Sequence, residues 1–344
     1  MVPPSVLRTP ASPAASDARG AVWRRELTEA FRDPAELCHF LGLSAGVAIE
    51  VEQSPAGFPF LVPRGFAARM RRGDPADPLL RQVLPVAAET EPVAGYTADP
   101  LAEAGFQSGP ALVRKYSGRA LLLVTGGCAV NCRYCFRREF PYAERGANRR
   151  GIEAAVATIA ADPSLSEAIL SGGDPLLADD SLLADLIARL DAVPHLRRLR
   201  IHTRLPVVLP SRVDDSLLDV LAAGRLARTV VIHANHPAEL DEAVAGAVRR
   251  LAGLPAILLN QAVLLRGVND SVDVLAALSE RLVEIGVVPY YLHLLDRVRG
   301  AAHFEVPEAE ALRLHQRLRE TLPGYAVPRL VREVPGERSK TPVG

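Results

Sequence analysis

Hydrophobic and polar positions take up a regular rhythm at residue 119. From there, short apolar runs alternate with longer amphipathic stretches such as IEAAVATIAAD and SVDVLAALSERLVEIG. The runs have the length of buried strands, and the stretches have the spacing of helices. Six strand-then-helix units in succession predict a parallel sheet flanked by helices, the runs being ALLLVT, EAILSG, LRIHT, TVVIHA, AILLNQAVL and VVPYYLHLL.

Polar or reactive side chains follow each of these runs at its C-terminal end. A doubly wound sheet gathers its site at a single switch point, whereas a barrel receives side chains from every strand. The pattern therefore favours an α/β fold with a partial (β/α)6 barrel over a doubly wound open sheet. The residues concerned are the cysteines of CAVNCRYC, the SGGDP segment, His202, Arg204, His233, Asn235, His236, Gln261, Arg266, His293 and Asp296.

The chain divides into four predicted parts. Residues 1–21 lack the apolar core of a secretory signal and are expected to be a disordered lead-in. Residues 22–114 are predicted to form a helical and irregular wrapping segment, with a helical stretch in WRRELTEAFRDPAELCHFLGL. Residues 115–300 would hold the partial barrel, and residues 301–344 would form a C-terminal segment with a last helix and a strand in YAVPRLVRE.

Charge and composition argue against several classes of partner. Lysine and arginine together number 40 and balance 40 acidic residues, so no nucleic-acid partner is expected. No apolar run approaches the roughly 18 residues that span a bilayer, so no membrane association is expected. A lone Cys38 beside one tight cysteine triplet fits a reducing cytoplasm better than a disulfide framework.

The cysteine triplet, Cys128, Cys132 and Cys135, is the strongest chemical signal. A structural zinc site needs four protein ligands, so Cys38 or a histidine would have to complete it. An iron–sulfur cubane held by three cysteines instead leaves one iron open to a substrate or cofactor. Three purely structural cysteines would be an unusual concentration in a chain so poor in cysteine. The cluster is the favoured interpretation, with zinc as the alternative.

Lysine is almost absent from the chain. Of the 40 basic residues only Lys115 and Lys340 are lysines. Arginine can replace lysine where charge alone is wanted, but not where a deprotonated amine must attack a carbonyl. Both lysines are therefore candidates for function, the other interpretation being chance survival on the surface.

Two motifs carry a family resemblance. CAVNCRYC has C-x3-C-x2-C spacing and resembles the cluster motif of the radical S-adenosylmethionine (SAM) enzymes, and SGGDP resembles their glycine-rich motif. Glycine suits that place because a backbone without a Cβ can approach a ligand closely. From about residue 75 onward the sequence resembles the lysine 2,3-aminomutase family, in the segments RALLLVTGGCAVNCRYCFRREF, ILSGGDPL, NQAVLLRGVND, PYYLHLLDRVRGAAHF and SKTP.

The resemblance implies three cofactors: a [4Fe-4S] cluster on the cysteine triplet with one open iron, SAM, and pyridoxal 5′-phosphate (PLP). Lys340 of SKTP matches the lysine that holds PLP as a Schiff base, in agreement with the scarcity of lysine. Contacts to PLP are implied for Arg119, Lys115, Asn260 and Gln261, and contacts to SAM for Tyr134, Ser171, Gly172, Gly173, Asp174, His233, Asn235 and His236. Lys115 could equally be a solvated loop charge, and a histidine at a strand end is often a hydrogen-bonding core residue.

The resemblance also implies how a lysine substrate is held. Arg137 matches an arginine that binds the α-carboxylate through its planar fork. Asp296 and Glu333 match an acidic pair that binds the far ammonium group. The second acid is aspartate in the enzymes that act on free lysine, so Glu333 reaches one methylene further.

The segments GAAHF and GERSKTP resemble the shorter branch of the family, which makes β-lysine for the modification of elongation factor P. The implied reaction is isomerisation of L-α-lysine to (R)-β-lysine. Implied partners are a one-electron reductant of the flavodoxin or ferredoxin type, a β-lysine ligase and elongation factor P. The alternatives are a free-lysine mutase making (S)-β-lysine, expected to be longer at its C-terminus, and a non-enzyme iron–sulfur or zinc-stabilised binding or electron-transfer module.

Overall fold

A single sheet organises the part of the chain that this computed structural model describes, residues 22–44, 47 and 58–344. Its strands are β1 Leu112–Val113, β2 Arg119–Thr125, β3 Glu167–Gly172, β4 Arg198–Thr203, β5 Ala227–Ile232, β6 Ala256–Val263, β7 Val288–His293, β8 Arg329–Arg332 and β9 Thr341–Pro342. Strands β2 to β8 are parallel and neighbour one another in chain order. Strands β1 and β9 add antiparallel edges. The predicted lead-in at residues 1–21 lies outside the described residues.

The strand order confirms the predicted partial barrel. Each crossover moves the chain one strand further in the same direction, whereas a doubly wound sheet reverses its direction at a switch point. Side chains from β2 through β8 line one common cavity, so the sheet curves around it. Among the described strands β1 and β9 stand at opposite ends of the order and do not pair, which leaves the barrel open. The further strand predicted in YAVPRLVRE is β8.

Helices cover the outside of the sheet where the amphipathic stretches predicted them. The helices with defined bounds are α1 Pro34–Leu41, α2 Arg64–Ala67, α3 Pro78–Arg81, α4 Arg149–Ala161, α5 Asp180–Asp191, α6 Leu205–Val208, α7 Asp215–Ala222, α8 Glu242–Ala252, α9 Val272–Glu284 and α10 Glu308–Thr321. Helices α7, α8 and α9 begin after Asp214, Asp241 and Ser271, whose side chains accept hydrogen bonds from the first helical turn. None of the helices in the described ranges is long and apolar enough to cross a bilayer.

The apolar stripes of these helices make the core. On α5 the buried residues Leu183, Leu186, Ile187 and Leu190 recur at helical spacing. Every residue of β3 is buried, as expected for a strand covered on both faces. Burying one such leucine or isoleucine side chain stabilises the fold by roughly 2 kcal/mol before entropy is counted.

The prediction of one helical stretch near the N-terminus is wrong in its continuity. Residues 22–28 are helical, the chain then breaks, and α1 begins anew at Pro34. Proline has no N–H to continue a preceding helix and suits a first helical position. The Asp33 side chain accepts a hydrogen bond from the Ala35 N–H, which fixes the new start. Cys38 is buried on α1, within the main core.

Buried charges anchor the N-terminal segment against the loop that follows β2. Arg133 and Glu89, each almost without exposure, form an ion pair in which the Arg133 Nε donates to Glu89 Oε1 at 2.8 Å. Arg138 donates to the second oxygen of Glu89 at 2.7 Å. Breaking a pair of this kind leaves an uncompensated buried charge, so the contact fixes the segment firmly. The anchored loop is the one that carries the cysteine triplet.

Candidate active site

A cavity of about 510 Å³ lies at the C-terminal ends of the parallel strands. Its volume is in the range of sites that enclose small molecules. Side chains from every parallel strand and from the loops that follow them line it. Cysteines, glycines, three histidines and several charged groups therefore face one shared space.

The cysteine triplet lies in the loop after β2, and all three thiols line the cavity. A tight turn brings Cys132 and Cys135 together, with the Cys135 N–H donating to the Cys132 carbonyl at 3.1 Å. Burial raises the pKa of Cys128 well above its usual range, and burial together with the neighbouring Cys132 raises the pKa of Cys135 to about 11. With these pKa values Cys128 and Cys135 stay protonated at neutral pH. A bound metal would favour the thiolates instead, because its positive charge stabilises them.

The three thiols do not converge on one metal ion. In the described residues no three cysteine, histidine or acidic side chains converge as ligands of one metal ion. A zinc ion needs thiolates packed around a single centre, whereas a cubane places each of its cysteines on a different iron. Cys38 does not line the cavity, so it does not complete a zinc site there.

Gly172 and Gly173 form a turn at the end of β3, called the glycine turn below. This turn packs closely against the loop that leads to Cys128. A Cβ on Gly172, which has a φ of +121°, would lie 2.3 Å from the Thr125 carbonyl oxygen. A Cβ on Gly173 would lie 2.1 Å from the Gly127 carbonyl oxygen. The glycines are therefore required where backbone packs on backbone. They also line the cavity, and the approach to a ligand expected from the sequence stays a prediction.

We expect Gly173→Ala to weaken retention of a cluster, because the added methyl group would displace the backbone next to Cys128. Disturbing the support of metal ligands costs roughly 10- to 100-fold in metal affinity. The measurement is iron and sulfide per chain after anaerobic reconstitution and gel filtration. The matched control is Gly246→Ala on α8, where an added Cβ meets nothing within 4 Å. Equal iron content in the two variants would contradict this account of the glycine.

Asp174 and its neighbours tie the glycine turn to the loop after β4. The buried carboxylate accepts hydrogen bonds from the Thr203 hydroxyl at 2.8 Å and from the Arg204 N–H at 2.7 Å. Burial raises the pKa of Asp174 to about 6, although these hydrogen bonds oppose the rise. The Arg204 side chain then reaches Cys132, with its guanidinium nitrogen 2.6 Å from Sγ. Asp174 is thus linked through Arg204 to the loop that carries Cys132.

Arg137 is buried and already paired. Its fork donates to both oxygens of Glu103, at 2.7 and 2.9 Å, and its remaining nitrogen donates to the Ser171 hydroxyl at 3.1 Å. The sequence did not point to Glu103, because it lies in the irregular segment with no periodic pattern around it. A carboxylate-binding role for Arg137 therefore relies on the nitrogen that faces Ser171.

Glu333 holds both lysines of the chain. Its Oε1 accepts hydrogen bonds from Lys115 Nζ at 2.8 Å and from the Tyr116 hydroxyl at 2.6 Å, and its Oε2 accepts one from Lys340 Nζ at 2.6 Å. Burial alone would raise the pKa of Glu333, but Lys340 and Lys115 hold it well below its usual range. The structure thus places Lys115 on a carboxylate, and its contact with a phosphate stays a prediction.

The short strand β9 explains how Lys340 reaches Glu333. Antiparallel pairing sets Thr341 opposite Arg332, so the residues just beyond this pair, Lys340 and Glu333, also face each other. A strand of two residues leaves no periodic signal in a sequence, so this contact could not be read from the pattern.

Several buried polar atoms on residues that line the cavity have no protein partner in the described structure. They are the buried Nε of Arg119 and the Nε2 atoms of His202 and His293. Burial, followed by the charge of Arg200, lowers the pKa of His202 to about 3, and burial lowers that of His293 as well. Unpaired buried polar atoms are costly unless a ligand or water satisfies them. The three residues are therefore candidates for contact with a polar ligand.

Asp296 faces the same space as an acid with a raised pKa. Burial, reinforced by repulsion from Glu333, raises its pKa to about 7. No hydrogen bond within the described structure ends at its side chain, whereas Glu333 has three donors. A cation placed between the two acids would satisfy Asp296 and relieve the repulsion.

Three of the predicted contact residues do not line the cavity. Asn235 donates to the Tyr134 hydroxyl at 2.7 Å and is fully buried. His236 accepts a hydrogen bond from the Ala238 N–H, and Asn260 bonds to both backbone groups of residue 234. All three thus hold strand ends in place. For Asn235 and His236 this agrees with the alternative of a hydrogen-bonding core residue, and the cofactor contacts of all three stay predictions.

The other residues predicted to contact a cofactor or the substrate do come together at the cavity, whereas Arg266 does not line it and pairs with Glu310. His233 lines it and bonds the Tyr134 hydroxyl at 2.8 Å. The remaining predicted residues that line it are Lys115, Arg119, Tyr134, Arg137, Ser171, Gly172, Gly173, Asp174, Gln261, Asp296, Glu333 and Lys340. Tyr116, Arg200 and Arg329 also line it, and sequence reasoning did not single them out.

The donor sets fit the three implied cofactors. Three thiols in one loop suit a cluster with an open iron. The loop that carries the cysteines and the backbone at Gly172 and Gly173 lie side by side, so a cluster held there would share one space with this turn for SAM. An amine at Lys340, with unpaired polar atoms on Arg119, His202 and His293, suits an aldehyde cofactor that carries a phosphate.

Comparison with known proteins extends the similarity beyond the motifs. The model of the Radical SAM superfamily matches residues 122–257. L-lysine 2,3-aminomutase of Escherichia coli (strain K12) is 48% identical over 322 residues, which are 93% of this chain and 94% of that protein. L-lysine 2,3-aminomutase of Haemophilus influenzae is 45% identical over the same shares. The crystal structure of a radical SAM methyltransferase from Sphaerobacter thermophilus covers 64% of this chain and 68% of its own at 20% identity, with a TM-score of 0.41.

Proposed function

The chain belongs to the lysine 2,3-aminomutase family of radical SAM enzymes, and we propose that it converts L-α-lysine to (R)-β-lysine with PLP carried on Lys340. The product would serve the modification of elongation factor P. As a member of this family the chain is an isomerase, which sets aside the non-enzyme alternatives.

One observation carries the proposal. A single cavity is lined both by the cysteine triplet and by Lys340, Glu333 and Asp296. A radical enzyme must hold its radical source and its substrate in one water-poor space, since proximity and exclusion of side reactions supply much of the rate. This arrangement supports a reaction in which a cluster, SAM and PLP act together.

Different residues around the cavity would bind the two ends of the lysine substrate. The Arg137 nitrogen facing Ser171 would bind the α-carboxylate, and Asp296 with Glu333 would bind the terminal ammonium. When bound, the cluster and SAM supply a radical that removes hydrogen, and PLP supplies the conjugated system on which the amino group migrates. Lys340 would hold the cofactor, and Arg119 would supply charge for its phosphate.

The elongation-factor branch is supported by local sequence. Glu333 stands where the resemblance places aspartate in the free-lysine enzymes, and GAAHF and GERSKTP resemble the elongation-factor branch. A flavodoxin- or ferredoxin-type reductant would supply the electron, and a β-lysine ligase would consume the product. A reducing cytoplasm is the setting that we propose, since the cluster cysteines must stay reduced.

An anaerobic turnover tests the proposal. Protein reconstituted with iron, sulfide and PLP is given L-lysine, SAM and dithionite, and the amino acids are resolved by chiral chromatography. We expect (R)-β-lysine. Efficient formation of (S)-β-lysine would reassign the chain to the free-lysine branch. Absence of β-lysine from protein with an intact cluster and bound PLP would overturn the proposal.

The pKa of about 7 at Asp296 predicts that lysine binding depends on pH. Binding the ammonium favours the ionised carboxylate, so below pH 7 binding must also remove the proton from Asp296. We expect the affinity for L-lysine to rise as pH increases from 6 to 8, approaching about tenfold per unit at the acid end. Calorimetric titration of the protein without PLP, in which Lys340 keeps the charge that contributes to this pKa, checks this. Asp296→Asn should bind more weakly at pH 8 and show a flat profile; an unchanged slope would contradict this role of Asp296.

A further inference from the structure

The two oxygens of Glu333 have different partners. Oε1 accepts from Lys115 and Tyr116, which lie next to each other just before β2. Oε2 accepts from Lys340, which lies next to β9. The chain has no lysine besides these two, so its whole lysine content converges on one carboxylate.

We propose that Lys115 is a positioning residue which, with Tyr116, anchors Oε1 of Glu333 so that Oε2 is shared in turn by Lys340 and the terminal ammonium of the substrate. This inference rests on the proposed function and deepens it. It gives Lys115 a role different from the phosphate contact expected from the sequence.

The length of the glutamate side chain explains why its carboxylate needs an anchor. A glutamate side chain has one more rotatable bond than aspartate, so its carboxylate is less well fixed unless something holds it. The side chains of Lys115 and Glu333 are each only 10% exposed, which protects their ion pair from solvent. Two donors on one oxygen fix the orientation of the carboxylate and direct Oε2 towards the cavity.

Charge explains why Oε2 is shared in turn. With Lys115 and Lys340 both bonded to it, Glu333 already has two cations on one anion. A substrate ammonium arriving beside them would be a third cation and would compete with Lys340 for Oε2. Removal of the Lys340 charge, by attachment of PLP or by substitution, leaves Oε2 free for that ammonium.

Equilibrium binding to protein that holds its cluster and SAM but has been stripped of PLP tests this directly. L-Lysine is titrated calorimetrically, with L-norleucine as the matched ligand that lacks the terminal ammonium. We expect Lys340→Ala to bind L-lysine roughly tenfold more tightly than the unsubstituted protein, because a charge-assisted hydrogen bond becomes available. Binding of L-norleucine should be the same in both proteins.

The role of Lys115 is tested in the Lys340→Ala background. Adding Lys115→Met should remove the gain for L-lysine, because losing the donor that fixes Oε1 outweighs losing one repelling cation, and should leave L-norleucine binding unchanged, which also shows that the protein is folded. A larger gain for L-lysine would show that Lys115 acts only by repulsion and would overturn the proposal. Adding Lys115→Arg should preserve the gain, since arginine can still donate to Oε1. A loss of binding for both ligands with Lys115→Met would assign Lys115 a merely structural role.

The outcomes separate this inference from the proposed function. If Lys340→Ala shows no gain for L-lysine while the PLP-loaded protein still makes β-lysine, the sharing of Oε2 is wrong and the proposed function stands. If the PLP-loaded protein neither binds nor converts L-lysine, the proposed function fails together with the inference.

Discussion

Cys132→Ala is expected to abolish iron–sulfur content and reductive cleavage of SAM, with a loss of activity greater than about a thousandfold. Cys132 supplies one of three thiols in the loop after β2, and a cubane on the two remaining cysteines would expose a second iron. The substitution also removes the sulfur that lies 2.6 Å from the guanidinium of Arg204. Iron and sulfide analysis, the cluster absorbance and 5′-deoxyadenosine formation measure the loss.

Cys38→Ala is the matched control. Cys38 is 1% exposed on α1 and does not line the cavity. We expect this variant to bind the same amount of iron and to cleave SAM at the same rate, at the cost of a modest loss of stability from the small space left in the core. A cluster that survives Cys132→Ala, or that is lost equally in Cys38→Ala, would contradict the assignment of the triplet.

Lys340→Ala is the second substitution with a large expected effect. We expect it to eliminate covalent PLP and to lower aminomutase activity by more than about a thousandfold, while iron content is kept. Lys340→Arg should not rescue it, because arginine stays protonated and cannot attack an aldehyde. The PLP absorbance and the mass added by borohydride reduction measure attachment independently of turnover.

Because the chain has only two lysines, the site of PLP attachment can be identified directly. Besides Lys340, the side chain of Lys115 is the only other lysine amine to which PLP could attach, so peptide mapping after borohydride reduction identifies the site without ambiguity. Lys115→Arg is the control and should retain PLP on Lys340. Borohydride-trapped PLP on Lys115 in the unsubstituted protein would contradict the assignment of Lys340.

Long periodic features could be predicted from the sequence. The six apolar runs became β2 to β7 because parallel strands covered on both faces must be apolar, and the stretches between them became helices because their apolar residues lie on one side. The strand-end positions of the cysteines, His202 and His293 followed from the same rhythm. Asp33 and Pro34 are typical of a helix start and indicate the break before α1. The hydrophobic pattern alone does not show this break.

Contacts between distant, irregular segments could not be predicted in this way. Glu103 meets Arg137 across 34 positions, and no pattern at either residue specifies the other. Glu333 meets Lys115 across 218 positions, and the contact depends on how the edges of the open barrel come together. Such pairs are set by tertiary packing, which local sequence does not encode.

The glycines show a different kind of limit. Their place in SGGDP suggested a functional turn, but the atoms that exclude a side chain there are carbonyl oxygens of residues 125 and 127. A glycine in a sequence indicates that another group approaches the backbone closely. The structure is needed to identify that group.

The central claim is that one cavity brings lysine to the radical source. The most direct measurement uses L-lysine deuterated at both β-hydrogens, incubated anaerobically with the reconstituted protein, SAM and dithionite, followed by mass spectrometry of the recovered 5′-deoxyadenosine. We expect deuterium to appear in 5′-deoxyadenosine, and we expect its appearance to depend on Lys340. Cleavage of SAM without any transfer of deuterium would show that lysine is not held against the radical source and would contradict the account.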